Sequence, residues 1–251
     1  MSQLQKRIQR LQRRDGPAIG FGRVTREHPR AMALIATAKT AAEAKASIDE
    51  ADAVIIDAGD AAAAAKVMEG VATEKLAVGA LLASLSEADA ATLRKAKCDF
   101  VISPLDTTDS AAVDTEKMGQ AIRASQEMED TTLRAIAPLG FDGLFVERTG
   151  GAMTLAQQLG LVRIASFAST GLIVTVGIDA SAGELRVLRD SGALAVVAPA
   201  GASPEDLKKL SETLKAVPAP KKGKREGTDI ALVPSNAQRA DDEGEDDDEG
   251  E

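Results

Sequence analysis

The chain has 251 residues, 44% of them apolar, yet no Trp, no Tyr and only five Phe. Its core must therefore come from Ala, Val, Leu and Ile, and the aromatic platforms that stack single-stranded nucleic acid are excluded. The net charge of −9 is local, because residues 241–251 hold nine acids and no base. Residues 1–240 sum to zero, so the overall charge says nothing about a ligand.

A lone cysteine, Cys98, excludes an intrachain disulfide and a cysteine-rich zinc site. Its apolar setting reads as a buried structural thiol. No apolar run approaches the roughly 18 residues of a membrane span, and the polar, basic start lacks the apolar stretch of a secretion signal. A cytoplasmic protein with no membrane partner and no specific nucleic-acid partner is the expectation.

Residues 1–30 carry eight Lys or Arg against two acids. Leu4, Ile8 and Leu11 recur at helical spacing, which predicts a short amphipathic helix over Gln3–Arg14, ended by Asp15-Gly16-Pro17. The Gly-flanked apolar knot Ala18–Arg23 reads as a plug or edge cover for the core that follows. A basic helix on nucleic acid or an anionic membrane is the other reading.

Eight apolar runs follow: Ala33–Ala38, Ala53–Ala58, Val78–Ser84, Phe100–Leu105, Gly119–Ser125, Phe141–Glu147, Leu172–Gly177 and Leu194–Ala198. Each is expected to lead into an alanine-rich helical stretch. Alternating β and α segments predict a parallel sheet, and eight such units match a closed (β/α)8 TIM barrel. An open doubly wound sheet is the rival, but no Gly-x-Gly-x-x-Gly follows the first run. Gly140 and Gly192 are placed to close helices, and Ser203-Pro204-Glu205-Asp206 to open one. The organisation expected is a basic N-terminal extension over 1–30, one barrel over 31–217, and a disordered linker and acidic tail over 218–251.

A barrel places chemistry at the C-terminal ends of its strands. By strand alternation Arg123, Ser125 and Glu127 share the lumen-facing parity at the fifth strand. Thr37 and Lys39 end the first, Asp57 the second and Glu147 the sixth; Ser84, Ser103, Asp106 and Asp179 end the third, fourth and seventh. Together with Arg148 they form a ring of carboxylates and interspersed cations. Such a ring suits oxygen ligation of a cation, or proton transfer between a carboxylate and Lys39. Polar strand ends also meet water without any function. The only histidine, His28, lies outside the barrel, which removes His-based triads and His–metal sites.

The segment Ile173–Gly201 resembles the strand 7–helix 7–strand 8 region of the phosphate-binding (β/α)8 superfamily, which includes tryptophan- and histidine-biosynthesis isomerases and several FMN enzymes. The resemblance implies a phosphate cradle at Gly177, Ile178, Asp179 and Gly201. The match is partial: one glycine precedes Ile178, strand eight ends in Pro199-Ala200-Gly201 where the family has Gly-Ser, and the Asp179 carboxylate would repel phosphate.

Three functions follow. The first is a barrel that binds a small anionic metabolite through Arg123, Ser125 and Glu127, as an isomerase or lyase using Lys39 with Asp57 or Glu147. The second is a catalytically inactive interaction or scaffold barrel; a homo-oligomer is a further partner expectation. The third is an FMN-dependent oxidoreductase.

Overall fold

Strands β1 (Ala33–Ala38), β2 (Ala53–Gly59), β3 (Ala77–Leu82), β4 (Phe100–Pro104), β5 (Gly119–Ala124), β6 (Gly143–Val146), β7 (Leu172–Thr175) and β8 (Ala193–Val197) pair in sequence order, all parallel. β8 returns to β1, with Ala33 opposite Ala195 and Ile35 opposite Val197, and the sheet closes into the (β/α)8 barrel that the eight runs predict. The computed structural model describes residues 2–12, 30–71, 76–148 and 151–218. The knot Ala18–Arg23, His28 and the linker and acidic tail from residue 219 lie outside the described residues.

Helix α1 (Gln3–Gln12) precedes the barrel. The connecting helices are α2 (Ala41–Ala46), α3 (Ala61–Glu69), α4 (Glu87–Lys95), α5 (Asp130–Ile136), α6 (Leu155–Ala168), α7 (Ala182–Asp190) and α8 (Pro204–Ala216). One unit departs from the expected alternation. Between β4 and β5 there is only a single 3-10 turn, Ser110–Ala112, in place of an α-helix. Asp106, Asp109, Asp114 and Glu116 leave Leu105–Met118 with few apolar positions at helical spacing, so a short loop closed by Ala112 covers this part of the sheet. The caps agree with the sequence: Ser203 and Asp206 form a reciprocal capping box with Pro204 in the first turn, and Gly140 and Gly192 adopt φ of 70° and 97° just past helix ends.

Strand parity divides the core in two. Leu34, Val54, Val78, Val101, Ile122, Leu144, Val174 and Val196 face the helices. Ala33, Ile35, Ala53, Ile55, Phe100, Ile102, Ala121, Phe145, Ile173 and Val197 fill the lumen. Phe100 reaches across to Gly79, where a Cβ would lie 2.4 Å from the ring, so only glycine fits opposite this phenyl group.

The lumen is completed from outside the barrel. Leu4 and Ile8 of α1 are 1% and 5% exposed and belong to the same apolar cluster. The first helix therefore plugs the lumen, and residues 2–12 pack with the barrel. The contact is directional. Asp99, just before β4, accepts from the backbone amides of Gln3 and Leu4 at 2.7 and 2.9 Å, and Ser2 Oγ donates to Asp142, just before β6, at 2.7 Å. Two carboxylates at the strand starts therefore hold the positive end of the α1 dipole. Burial, and secondarily the charge of Asp99, pushes the Asp142 carboxyl above the usual range, while the Ser2 hydroxyl works the other way.

Candidate functional site

At the opposite end, the lumen parity that carries Ala121 and Phe145 into the core brings Arg123 and Glu147 to the open mouth, where they form an ion pair. The Arg123 side chain is 35% exposed and that of Glu147 55%. Only one terminal nitrogen of Arg123 is engaged; its Nε and Nη1 have no hydrogen-bond partner among the described residues. A cavity of about 800 Å³ opens over this pair at the ends of β4, β5 and β6, and its charged lining is Asp106, Arg123, Glu127, Glu129, Glu147 and Arg148.

The β5–α5 loop forms one wall and is held from α6. Arg163 donates from Nε to Asp130 at 2.6 Å, from Nη1 to the Gln126 carbonyl at 3.1 Å and from Nη2 to the Met128 carbonyl at 2.7 Å. Gly160 of the same helix lies under the Gln126 side chain, where a Cβ would approach to 2.8 Å. Ser125, Glu127 and Glu129 are therefore presented by a loop whose backbone is fixed on both sides. Arg148 is of the other kind. Its side chain is 7% exposed, bonded to Glu184 in the first turn of α7 at 2.7 Å and to the Gly151 carbonyl at 3.2 Å. Its charge is already neutralised, and its backbone amide donates to Thr175 Oγ1 at 2.8 Å.

The expected site residues fall into three groups. Arg123, Ser125, Glu127 and Glu147 line the cavity together. Lys39 and Asp57 stand on the β1–β2 side, outside its lining. Asp57 is half-buried with lumen parity; Lys39 is exposed, and its backbone amide donates to Glu43 at 2.8 Å. Gly177, Ile178, Asp179 and Gly201 form the third group, exposed on the β7–α7 and β8–α8 loops.

The helix starts that follow that third group are capped by the chain itself. The Ser203 amide donates to Asp206 at 3.1 Å, the Asp206 amide to Ser203 Oγ at 3.1 Å, and the Glu184 amide to Ser181 Oγ at 3.2 Å. Asp179 Oδ1 sits 2.7 Å from where a Cβ on Gly177 would be. Both helix N-termini that would cradle a phosphate are thus self-capped and carry acids in their first turns.

Ser103 is corrected outright. It is fully buried on the helix-facing side, donated to by Gln120 Nε2 at 3.0 Å and by Thr108 Oγ1 at 2.7 Å, and takes no part in the mouth. Sequence reasoning missed Arg163 and Glu129, although Arg163 is the only charged residue of α6. Among the described residues no three His, Cys, Asp or Glu side chains gather to hold a metal ion. No helix among them is long and apolar enough to cross a membrane.

No protein-family model and no curated protein sequence matches this chain. Solved structures do match in fold. Tryptophan synthase from M. tuberculosis is similar with a TM-score of 0.61 at 13% identity over 86% of this chain and 98% of that one. N-(5'-phosphoribosyl)anthranilate isomerase from Pyrococcus furiosus has a TM-score of 0.52 at 14% identity, over 74% and 100%. Thiamine phosphate pyrophosphorylase from Pyrococcus furiosus has 0.54 at 11%, over 75% and 98%. The chain shares the (β/α)8 barrel with these enzymes.

Proposed function

We propose that the barrel binds a small, carboxylate-bearing metabolite in the cavity over β4–β6 and converts it as an isomerase or lyase. One observation carries the reading: among the described residues, Arg123 stands at the lumen mouth with two donor nitrogens unpartnered and one half-exposed carboxylate as its ion-pair partner. A guanidinium offers paired donors to an incoming carboxylate or phosphate. An exposed ion pair of this kind contributes at most about 1 kcal/mol, so a ligand anion can take the place of Glu147 with little loss.

Glu147 is then freed at the ligand, as the group that takes and returns a proton. The reaction class rests on the fold shared with an enzyme named as an isomerase and on the carboxylates around the cavity. Lys39 and Asp57 are the second acid–base set, on the other side of the same face. The self-capped β7 and β8 loops speak against the phosphate-held FMN reading.

The test is thermal stabilisation and calorimetric titration with citrate, malate and phosphate. Wild type is expected to shift upwards with at least one carboxylate, and Arg123→Ala to lose that shift while folding normally, since the pair is exposed. No anion-dependent shift in wild type would end the ligand reading.

A second reading, an interaction barrel, is favoured by α6. Leu155, Leu159 and Val162 are 77%, 68% and 38% exposed on a helix whose only charge, Arg163, is tied to the β5–α5 loop. An uncharged stripe is complementary to itself, so a second copy packed about a two-fold axis is its natural partner. Light scattering of wild type against Leu159→Glu checks this: a concentration-dependent dimer lost in the variant supports it, and a monomer throughout refutes it.

A further inference from the structure

We infer that the ligand of the β4–β6 cavity carries an ammonium group beside its carboxylate, that is, a zwitterion of amino-acid type. The inference rests on the proposed binding at Arg123 and names the substrate class of that same site. It comes from the distribution of charge in the cavity. Of the two cations in the lining, Arg148 is buried and neutralised by Glu184. Arg123 is matched by Glu147. Asp106, Glu127 and Glu129 remain, and none has an ion-pair partner among the described residues.

The uncompensated charge of the lining is therefore three carboxylates, all exposed at the rim. A dianion such as a phosphate monoester meets that field unfavourably at distances inside a Debye length of about 8 Å. A molecule with one carboxylate and one ammonium meets complementary charge at both ends: Arg123 for the first and the β5–α5 loop carboxylates for the second. The carboxylates are held in place to do this. Arg163 pins the carbonyls of Gln126 and Met128, the residues that precede and follow Glu127, and Gln126 packs against the bare Cα of Gly160. A cavity of about 800 Å³ accommodates an amino acid with a substantial side chain.

The experiment pairs amino acids with the same acids lacking nitrogen: alanine with propionate, glutamate with glutarate, leucine with 4-methylvalerate. Each is titrated into the full-length protein by calorimetry, alongside inorganic phosphate. The amine-bearing member of at least one pair is expected to bind ten-fold or more tightly than its partner. In Glu127→Gln/Glu129→Gln that ratio should fall towards one, while any binding of the simple acid is retained or strengthened. Equal or tighter binding of the acid, or tighter binding of phosphate, overturns the zwitterion inference and leaves the anchoring role of Arg123 standing. No binding by any probe removes both. A ratio unchanged in the double variant also overturns the inference, because the discrimination then arises elsewhere.

Discussion

Replacing Leu4 by Ala tests whether α1 is part of the barrel core or an appendage. Leu4 is 1% exposed and shares the lumen cluster with Ile35, Ile55, Phe100 and Phe145. Truncating a buried Leu to Ala costs about 2–5 kcal/mol, because the cavity left behind closes only in part. The lumen wall is made of strand residues fixed by the closed sheet, so little collapse is available and the upper half of that range is expected. For a folded body of this size each 1 kcal/mol moves the melting temperature by about 2–4 °C, which gives a drop of roughly 7–20 °C. Ile8→Ala, 5% exposed in the same cluster, should fall close behind. Lys6→Ala is the control: the side chain is exposed, and the two residues are similar helix formers. Thermal unfolding followed by circular dichroism measures all three. If Leu4→Ala moves the midpoint no more than Lys6→Ala does, α1 does not seal the lumen and the two-cluster description of the core is wrong.

Asp142→Asn should leave stability at pH 7 unchanged or raise it, since an amide still accepts from Ser2 and the repulsion with Asp99 is gone. The sign follows from the raised folded-state pKa: the native state holds the Asp142 proton more tightly than the unfolded chain, so this group favours folding most below its unfolded pKa and loses that contribution as pH rises through the folded one. Denaturation midpoints between pH 3 and 7 should therefore rise less steeply with pH in wild type than in the variant, and a steeper wild-type profile would contradict it. Cys98, buried and donating to the Phe100 carbonyl at 3.0 Å, has its thiol pushed up to about 12 by desolvation and then by Asp99. Iodoacetamide at pH 8 should modify it only as fast as the protein unfolds; rapid labelling of the native state would show that the thiol is reachable.

How much was legible in the sequence depended on whether a signal was local. Strands buried on both faces read as short apolar runs, and all eight were placed within two residues of their observed ends. Caps were legible for the same reason: Ser203, Gly140 and Gly192 act on their own neighbours. The missing helix after β4 was not, because eight-fold regularity was extended over a segment whose acids break the pattern. Ser103 closes an apolar run and so reads as a mouth residue, but with Phe100 and Ile102 in the lumen it must face the helices. Arg123 was found because parity alone aims it. Arg163 was not, since its partners lie 33 to 37 residues away, joined only by folding.

The same contrast accounts for where the open face can accept a ligand. After β7 and β8, Ser181, Ser203 and Asp206 accept from or cap the amides of Glu184, Asp206 and Ser203 at the starts of α7 and α8. A capped helix start is stable without a ligand, and an added phosphate would have to displace a charge-assisted bond from the chain's own carboxylate. At β5 and β6 the balance is reversed. Arg123 has more donors than its one exposed partner uses among the described residues, and the facing loop is fixed by Arg163 while Glu127 and Glu129 have no ion-pair partner among them. Binding energy is available where the fold leaves polar groups presented and unsatisfied, and among the described residues the β4–β6 side presents such groups over a cavity. The proposed ligand of mixed charge would complete it, whereas the helix starts after β7 and β8 are capped by the chain's own side chains.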